Sequence, residues 1–179
     1  MIAASSKAAS AFAPFLLSRT FDAPRELVWQ AHTECKHLVH WWGPKGFTVR
    51  SCKIDLRPGG IFHYRLTAPE GNDLWGRFVF REVVAPERLV YIVSFSDELA
   101  GIARHPMAPF WPLEILSTVT FVEKDGKTTL SVHWEPHAAT EDERRAFHEG
   151  RASMQEGWTG TLDQLAQHLA KLRSGPPSA

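Results

Sequence analysis

Cysteine is scarce in this chain: Cys35 and Cys52 are the only two among 179 residues. Two are too few for a disulfide framework, and their spacing matches no zinc motif. Excess charge is missing too. Lys plus Arg and Asp plus Glu number 20 each, so no net positive field exists to hold nucleic acid or an anionic membrane surface. No apolar run approaches the ~20 residues of a membrane-spanning helix. Internal repeats and charge blocks are absent as well. What is present is ordinary globular composition, 44% hydrophobic and 22% charged, which excludes general disorder. A chain of this length buries roughly 70% of its unfolded surface in one core, so neither metal nor cross-link is required for stability. The unusual abundance is aromatic: seven Trp and eleven Phe against two Tyr. Such rings serve either a heavily packed core or an apolar ligand surface.

The ends read differently from the middle. Residues 1–13 are rich in Ala and Ser. Ala11-Phe12-Ala13 resembles the end of a signal peptide, but no continuous apolar segment precedes it. We read 1–13 as a flexible extension, 14–173 as one domain and 174–179 as a flexible tail, in a cytoplasmic protein. Phe15 to Phe21 reads as a strand stopped by Asp22-Ala23-Pro24, where Asp22 can cap a helix running to about Thr33. A short helix follows near Lys36 to Trp41, closed by Gly43-Pro44. From Thr48 to Glu135 the apolar period is two, giving strands over Thr48 to Leu56, around Phe62 to Leu66, and over Leu74 to Val84, Arg88 to Ser96, Leu113 to Glu123 and Thr128 to Glu135. After Pro136, Thr140 and Glu143 form a capping box. Phe147, Met154, Trp158, Leu162, Leu165, Leu169 and Leu172 then mark one helical face as far as Leu172. The order predicts an α+β fold: a curved antiparallel sheet of about six or seven strands wrapped around a long C-terminal helix.

Chemical signatures are few. No nucleophile elbow, phosphate loop or His-Glu-x-x-His occurs, and no catalytic residue is assigned. His32, Cys35, His37 and His40 crowd one segment, but a single short segment rarely converges into a metal site; no metal and no cofactor is expected. The segment Asp97 to Pro112 is too long for a hairpin loop and carries Phe110 and Trp111 between prolines, the composition of a lid or of a self-packed Ω-loop.

Several local motifs share one order. They are Phe21-Asp22-Ala23-Pro24 with Val28-Trp29, Trp41-Trp42-Gly43-Pro44-Lys45-Gly46-Phe47, Asp55-Leu56-Arg57-Pro58-Gly59-Gly60, Pro86-Glu87-Arg88-Leu89-Val90, and Gly157-Trp158 before Leu162 and Leu165. Together they resemble the activator-of-heat-shock-protein-90-ATPase homologue family, within the START-like (SRPBCC) helix-grip superfamily. The resemblance implies a helix-grip domain with a cavity between sheet and helix. Alternation then nominates its lining: Phe62 and Tyr64, Phe78 and Phe80, Tyr91 and Phe95, Ser117 and Trp134 from the strands, Met154 and Trp158 from the helix, Phe110 and Trp111 from the loop. The same face could also close into solid core. The reading is a non-enzymatic domain that binds a small, mostly apolar molecule, without nucleic acid or membrane. A protein-interaction module such as a chaperone ATPase regulator, a homodimer, and a cyclase- or hydrolase-like enzyme in the same cavity stay open.

Overall fold

The alternation between residues 48 and 136 belongs to strands with one wet and one buried face, and such a face needs a cover. The computed structural model describes residues 12–175 and supplies both. Seven strands, β1 (Phe15–Phe21), β2 (Thr48–Ile54), β3 (Ile61–Thr67), β4 (Asp73–Val84), β5 (Arg88–Ser96), β6 (Ile115–Lys124) and β7 (Lys127–Pro136), form one sheet in the order β1-β7-β6-β5-β4-β3-β2. Every neighbouring pair is antiparallel. Asp125 and Gly126 both take positive φ (53° and 73°), the conformation that lets a two-residue turn follow strand twist. Register shifts between Val49 and Ser51 and between Phe80 and Glu82 help bend the sheet.

Helices α1 (Arg25–Thr33), α2 (Cys35–Leu38), α3 (Glu141–Glu149) and α4 (Arg151–Ser174) provide the cover. Asp22 does not cap α1. Pro24 occupies the N-cap, and Asp22 pairs instead with Arg173 at the end of α4 (2.9 Å). The expected capping box is present: Thr140 Oγ1 accepts the Glu143 N–H, and the Glu143 carboxylate accepts the Thr140 N–H. The single helix expected from Thr140 to Leu172 is two helices. The chain breaks at Gly150, where an added Cβ would lie 3.0 Å from the Trp111 ring. Leu162, Leu165 and Leu169 are fully buried, whereas Gln167 and Lys171 are exposed. Gln164 is half-buried rather than exposed, because its amide donates to the carbonyls of Trp41 and Gly43.

The two cysteines, too few for a framework, do make one bridge. Cys35 in α2 is joined to Cys52 in β2, with Cα atoms 5.7 Å apart, inside the usual disulfide range. It ties the start of α2 to the edge strand of the sheet. The expected extension over 1–13 and tail over 174–179 lie mostly outside the described residues. Of the part that is described, Phe12 meets the His148 ring at a tilt of 40° (5.1 Å), and Arg151 donates to the carbonyls of Ala13 and Pro14.

Candidate functional site

Strand register lays side chains on the covered face in rows. Phe80, Tyr91, Ser117, Trp134 and Phe15 are successive partners across five strands, and Phe62, Phe78 and Val93 form the next row. At the β7 and β1 side, α1 and the C-terminal half of α4 fill the space above the sheet. Trp29 meets Phe121 edge-on (5.3 Å), and Val119, Leu130 and Leu165 are inaccessible. Toward β3–β5 the helix stands off, and a cavity of about 650 Å³ remains, the size of a small-molecule site.

Its wall joins five parts. The sheet gives Tyr64, Leu66, Leu74, Phe78, Val93, Phe95 and Trp134; α4 gives Ser153, Met154, Gly157, Trp158 and Thr161. The turn after α2 adds Trp42, Gly43 and Pro44, while residues 105–111 and α3 close the mouth. The nominated residues divide accordingly. Tyr64, Phe78, Phe95, Phe110, Trp111, Trp134, Met154 and Trp158 meet around this space. Phe62, Phe80, Tyr91 and Ser117 do not reach it. They pack into the core at 3% exposure or less, Phe62 and Phe80 edge-on to Phe78 and Tyr91 and Ser117 against Trp134.

Two glycines make room. Gly76 faces Tyr64 across the β3–β4 pair, and a Cβ there would fall 2.3 Å from the Tyr64 hydroxyl oxygen, so the ring can lie flat over this position only because it is glycine. Gly157 on α4 has nothing within 4 Å of an added Cβ, so its missing side chain is part of the cavity volume. Trp42 turns its ring edge-on to Phe62, Phe78 and Trp158. Its neighbour Trp41 points the other way and donates its indole N–H to the Ala31 carbonyl (2.9 Å). Sequence reasoning missed Trp42 as a wall residue. Adjacent tryptophans must diverge on a helical turn, but which one turns inward is decided by the packing of α1.

The polar groups are sparse and neutral. Burial pushes the Tyr64 hydroxyl up to about 12, with the Trp42 indole N–H close enough to offset part of the rise. Burial raises Tyr91 as well, partly countered by Ser117. Trp134 donates its N–H to Ser117 Oγ (2.8 Å). The Trp42 N–H completes no hydrogen bond of proper geometry, and the Tyr91 oxygen is likewise unpaired. His105 sits edge-on to Phe95 (4.6 Å), accepts the Met107 N–H at Nδ1 (3.0 Å), and is held below its usual pKa by burial. A nucleophile with an adjacent base does not occur among the wall residues. Tyrosines raised this far hold their protons at physiological pH and make donors, not bases.

The segment over the mouth is fastened at both ends. At its start, Asp97 Oδ1 accepts the N–H groups of Leu99 and Gly101, and Arg77 donates to the Ala100 carbonyl. Near its end, Arg104 reaches the carbonyls of Pro109 and Trp111 and the Glu143 carboxylate (2.9 Å). Trp111 lies on Phe147 (5.5 Å), whereas Phe110 is 61% exposed at the rim.

The histidines of the α2 region lie away from the cavity wall. His37 Nδ1 is 3.1 Å from His168 Nε2, and His40 stacks on the same ring at 5.1 Å. Among the described residues no group of three or more His, Cys, Asp or Glu is placed to hold a metal ion.

Solved structures with this architecture come from several bacteria. A protein of Nitrosomonas europaea is similar at 25% identity and TM-score 0.73, over 93% of this chain and 100% of that one. One from Rhodobacter sphaeroides has 21% identity and TM-score 0.73, over 92% and 96%. An AHSA1 protein of Silicibacter pomeroyi has 21% identity and TM-score 0.66, over 88% and 98%. Among curated proteins no match was found. The family model described as "Activator of Hsp90 ATPase homolog 1-like protein" matches residues 22–170.

Proposed function

The chain belongs to the activator of Hsp90 ATPase homolog 1-like family, and we propose that this member binds a small, mostly apolar molecule between its sheet and α4 without transforming it. One observation carries the reading: a cavity of about 650 Å³ with an aromatic and aliphatic wall, left open by a missing side chain at Gly157. A solid core would fill such a space, since protein interiors tolerate few voids larger than a water molecule. Binding would draw on apolar area removed from water, roughly 25 cal/mol per Å². The family name does not decide between ligand carriage and protein regulation, because one fold hosts many functions.

The test fills the space without removing a contact. Calorimetric titration with the uncharged dye N-phenylnaphthylamine should give one saturable site. Gly157→Leu should weaken it at least tenfold while leaving the melting temperature unlowered. No saturable binding to the wild type, or equal binding to the variant, rejects the reading.

A second reading has its own observation. Leu99 and Met107 are each 87% exposed and Phe110 61%, an apolar outer face on the segment over the mouth that suits a protein contact, whether a second copy of this chain or a chaperone. Sedimentation across concentration separates a self-contact from none.

No described helix is long and apolar enough to cross a membrane. Residence in the cytoplasm is part of the proposal, and there the Cys35–Cys52 pair would be kept reduced, because disulfides persist in oxidising compartments. Thiol alkylation of protein taken directly from cells reads that state.

A further inference from the structure

We infer that the Cys35–Cys52 pair is a redox latch on this cavity: bridged, it holds the Trp42–Tyr64 part of the wall in one shape, and reduced to two thiols it lowers affinity for the occupant. The inference rests on the binding reading above and adds regulation to that same site.

The bridge joins two elements with little support of their own. Helix α2 is a single turn of four residues, too short to persist without tertiary fastenings. Strand β2 ends the sheet, with β3 as its neighbour on one side and a slip in register between Val49 and Ser51. Elements of this kind open locally at low free energy, ahead of the rest of a domain. Besides the bridge, α2 is held by the buried Leu38 and by His37, whose Nδ1 lies 3.1 Å from His168 Nε2 on α4. The bridge is its covalent tie to the sheet edge.

Both ends of the bridge lead to the wall. On one side, the Val39 N–H donates to the Cys35 carbonyl (3.2 Å) and the Trp42 N–H to the Leu38 carbonyl (2.9 Å). The turn that presents Trp42 is thus hydrogen-bonded onto α2. On the other side, Cys52 stands directly opposite Tyr64 in the β2–β3 register, and opposed residues put their side chains on one face of a sheet. Trp42 and Tyr64 both line the cavity and meet edge-on at 5.7 Å. The disulfide therefore closes a circuit whose far side is a contact in the wall. With the bond intact, α2 and β2 keep that contact in place. With it broken, they move separately, and an occupant must re-order the corner as it binds, which lowers affinity.

Release is thiol–disulfide exchange with a dithiol. Its thiolate attacks one sulfur to form a mixed disulfide, and its second thiol then displaces the other cysteine. The reductant leaves as its own disulfide, and Cys35 and Cys52 receive its two electrons and two protons. Both cysteines are partly exposed and each precedes an exposed lysine, Lys36 or Lys53, so the bond lies near the surface. In a reducing compartment the dithiol is the resting form, and oxidation tightens the grip. Strands β5–β7 and the leucine half of α4 hold no part of the bridge, so the fold survives the change.

The test titrates N-phenylnaphthylamine, followed by its emission, into the bridged whole chain and into the same protein reduced with dithiothreitol. Reduction should raise the Kd about fivefold, the scale of re-ordering one or two side chains on binding. Cys35→Ala combined with Cys52→Ala should match the reduced wild type and ignore dithiothreitol. Without dye, reduction should quicken amide exchange about tenfold over 36–42 and 49–54 and leave β6 and β7 unchanged. Equal affinity in the two states of the wild type overturns the latch, and that comparison needs no variant. A reductant effect that survives in the double variant also overturns it. So does faster exchange throughout the sheet, which would make the bridge a global staple. If the dye saturates neither form, the binding reading itself falls, a result distinct from equal affinities.

Discussion

The two halves of α4 face the same sheet and end differently. The C-terminal half presents Leu162, Leu165 and Leu169, each at 2% exposure or less, to a surface completed by α1. The N-terminal half presents Met154, Gly157 and Trp158 and leaves a cavity. Hydrophobicity does not separate them, since both stripes are apolar. Volume does. Leucine at successive turns fills the space, whereas a tryptophan standing beside a glycine holds the helix off the sheet without filling the gap. In a helix-and-sheet fold, a binding space can therefore be encoded by one absent side chain on an otherwise continuous stripe.

The sharpest way to break this comparison is to carve the packed half. Leu165→Ala should cost about 4 kcal/mol in urea unfolding, the scale of a cavity opened in a filled core. Met154→Ala, beside space that already exists, should cost about 1 kcal/mol. Equal losses would mean that the halves do not differ in packing.

Acid probes the packed half through His32, which is buried against Trp41 and Phe121 and lowered by desolvation to about 4. The unfolded chain takes up its proton near pH 6.5, the folded chain only near 4. Stability contributed by the neutral ring is complete above pH 6.5 and declines as pH falls toward 4, by about 3 kcal/mol in all. His32→Phe should flatten that part of the pH–stability curve. A slope unchanged in the variant would assign the acid sensitivity elsewhere.

On the open half, Arg104→Ala removes the clasp that joins the mouth segment to α3. Because Arg104 is half-exposed, the expected stability loss is small, below about 1 kcal/mol. Amide exchange over 105–111 should nevertheless quicken about tenfold, without change in β6 or β7. Uniform acceleration would show a global effect and not a local clasp.

The smallest effect has the opposite sign. Gly157→Ala should raise stability by about 0.5 to 1 kcal/mol, because helix propensity improves and the added methyl enters empty space. A loss would show that the glycine serves close packing.

Much of the architecture was legible in the sequence. Period-two alternation from Thr48 onward, Asp125-Gly126 and the Thr140–Glu143 box each have a local physical cause, and each appears where that cause puts it. The candidate site was legible only in part. Alternation says which face a residue is on, not how deep it lies under its neighbours. Tyr91 and Ser117 sit on the predicted face and in one row with Trp134, yet only Trp134 reaches the wall. Trp42 and the Cys35–Cys52 bridge were illegible for another reason. Trp42 is set by packing on α1 and the bridge by how α2 meets the sheet edge, long-range arrangements that sequence spacing does not record. The break at Gly150 is of the same kind, because Trp111 arrives there from a distant loop.

Four of the seven indoles, Trp42, Trp111, Trp134 and Trp158, border the cavity. Any occupant would therefore touch most of the chain's ultraviolet emitters at once. One that absorbs in the near ultraviolet would collect their excitation by energy transfer, and one that does not would still change the polarity they sense. The wall that would hold a ligand is thus also an optical readout of its arrival, and extracts or compound sets could be screened on the unlabelled protein by emission alone.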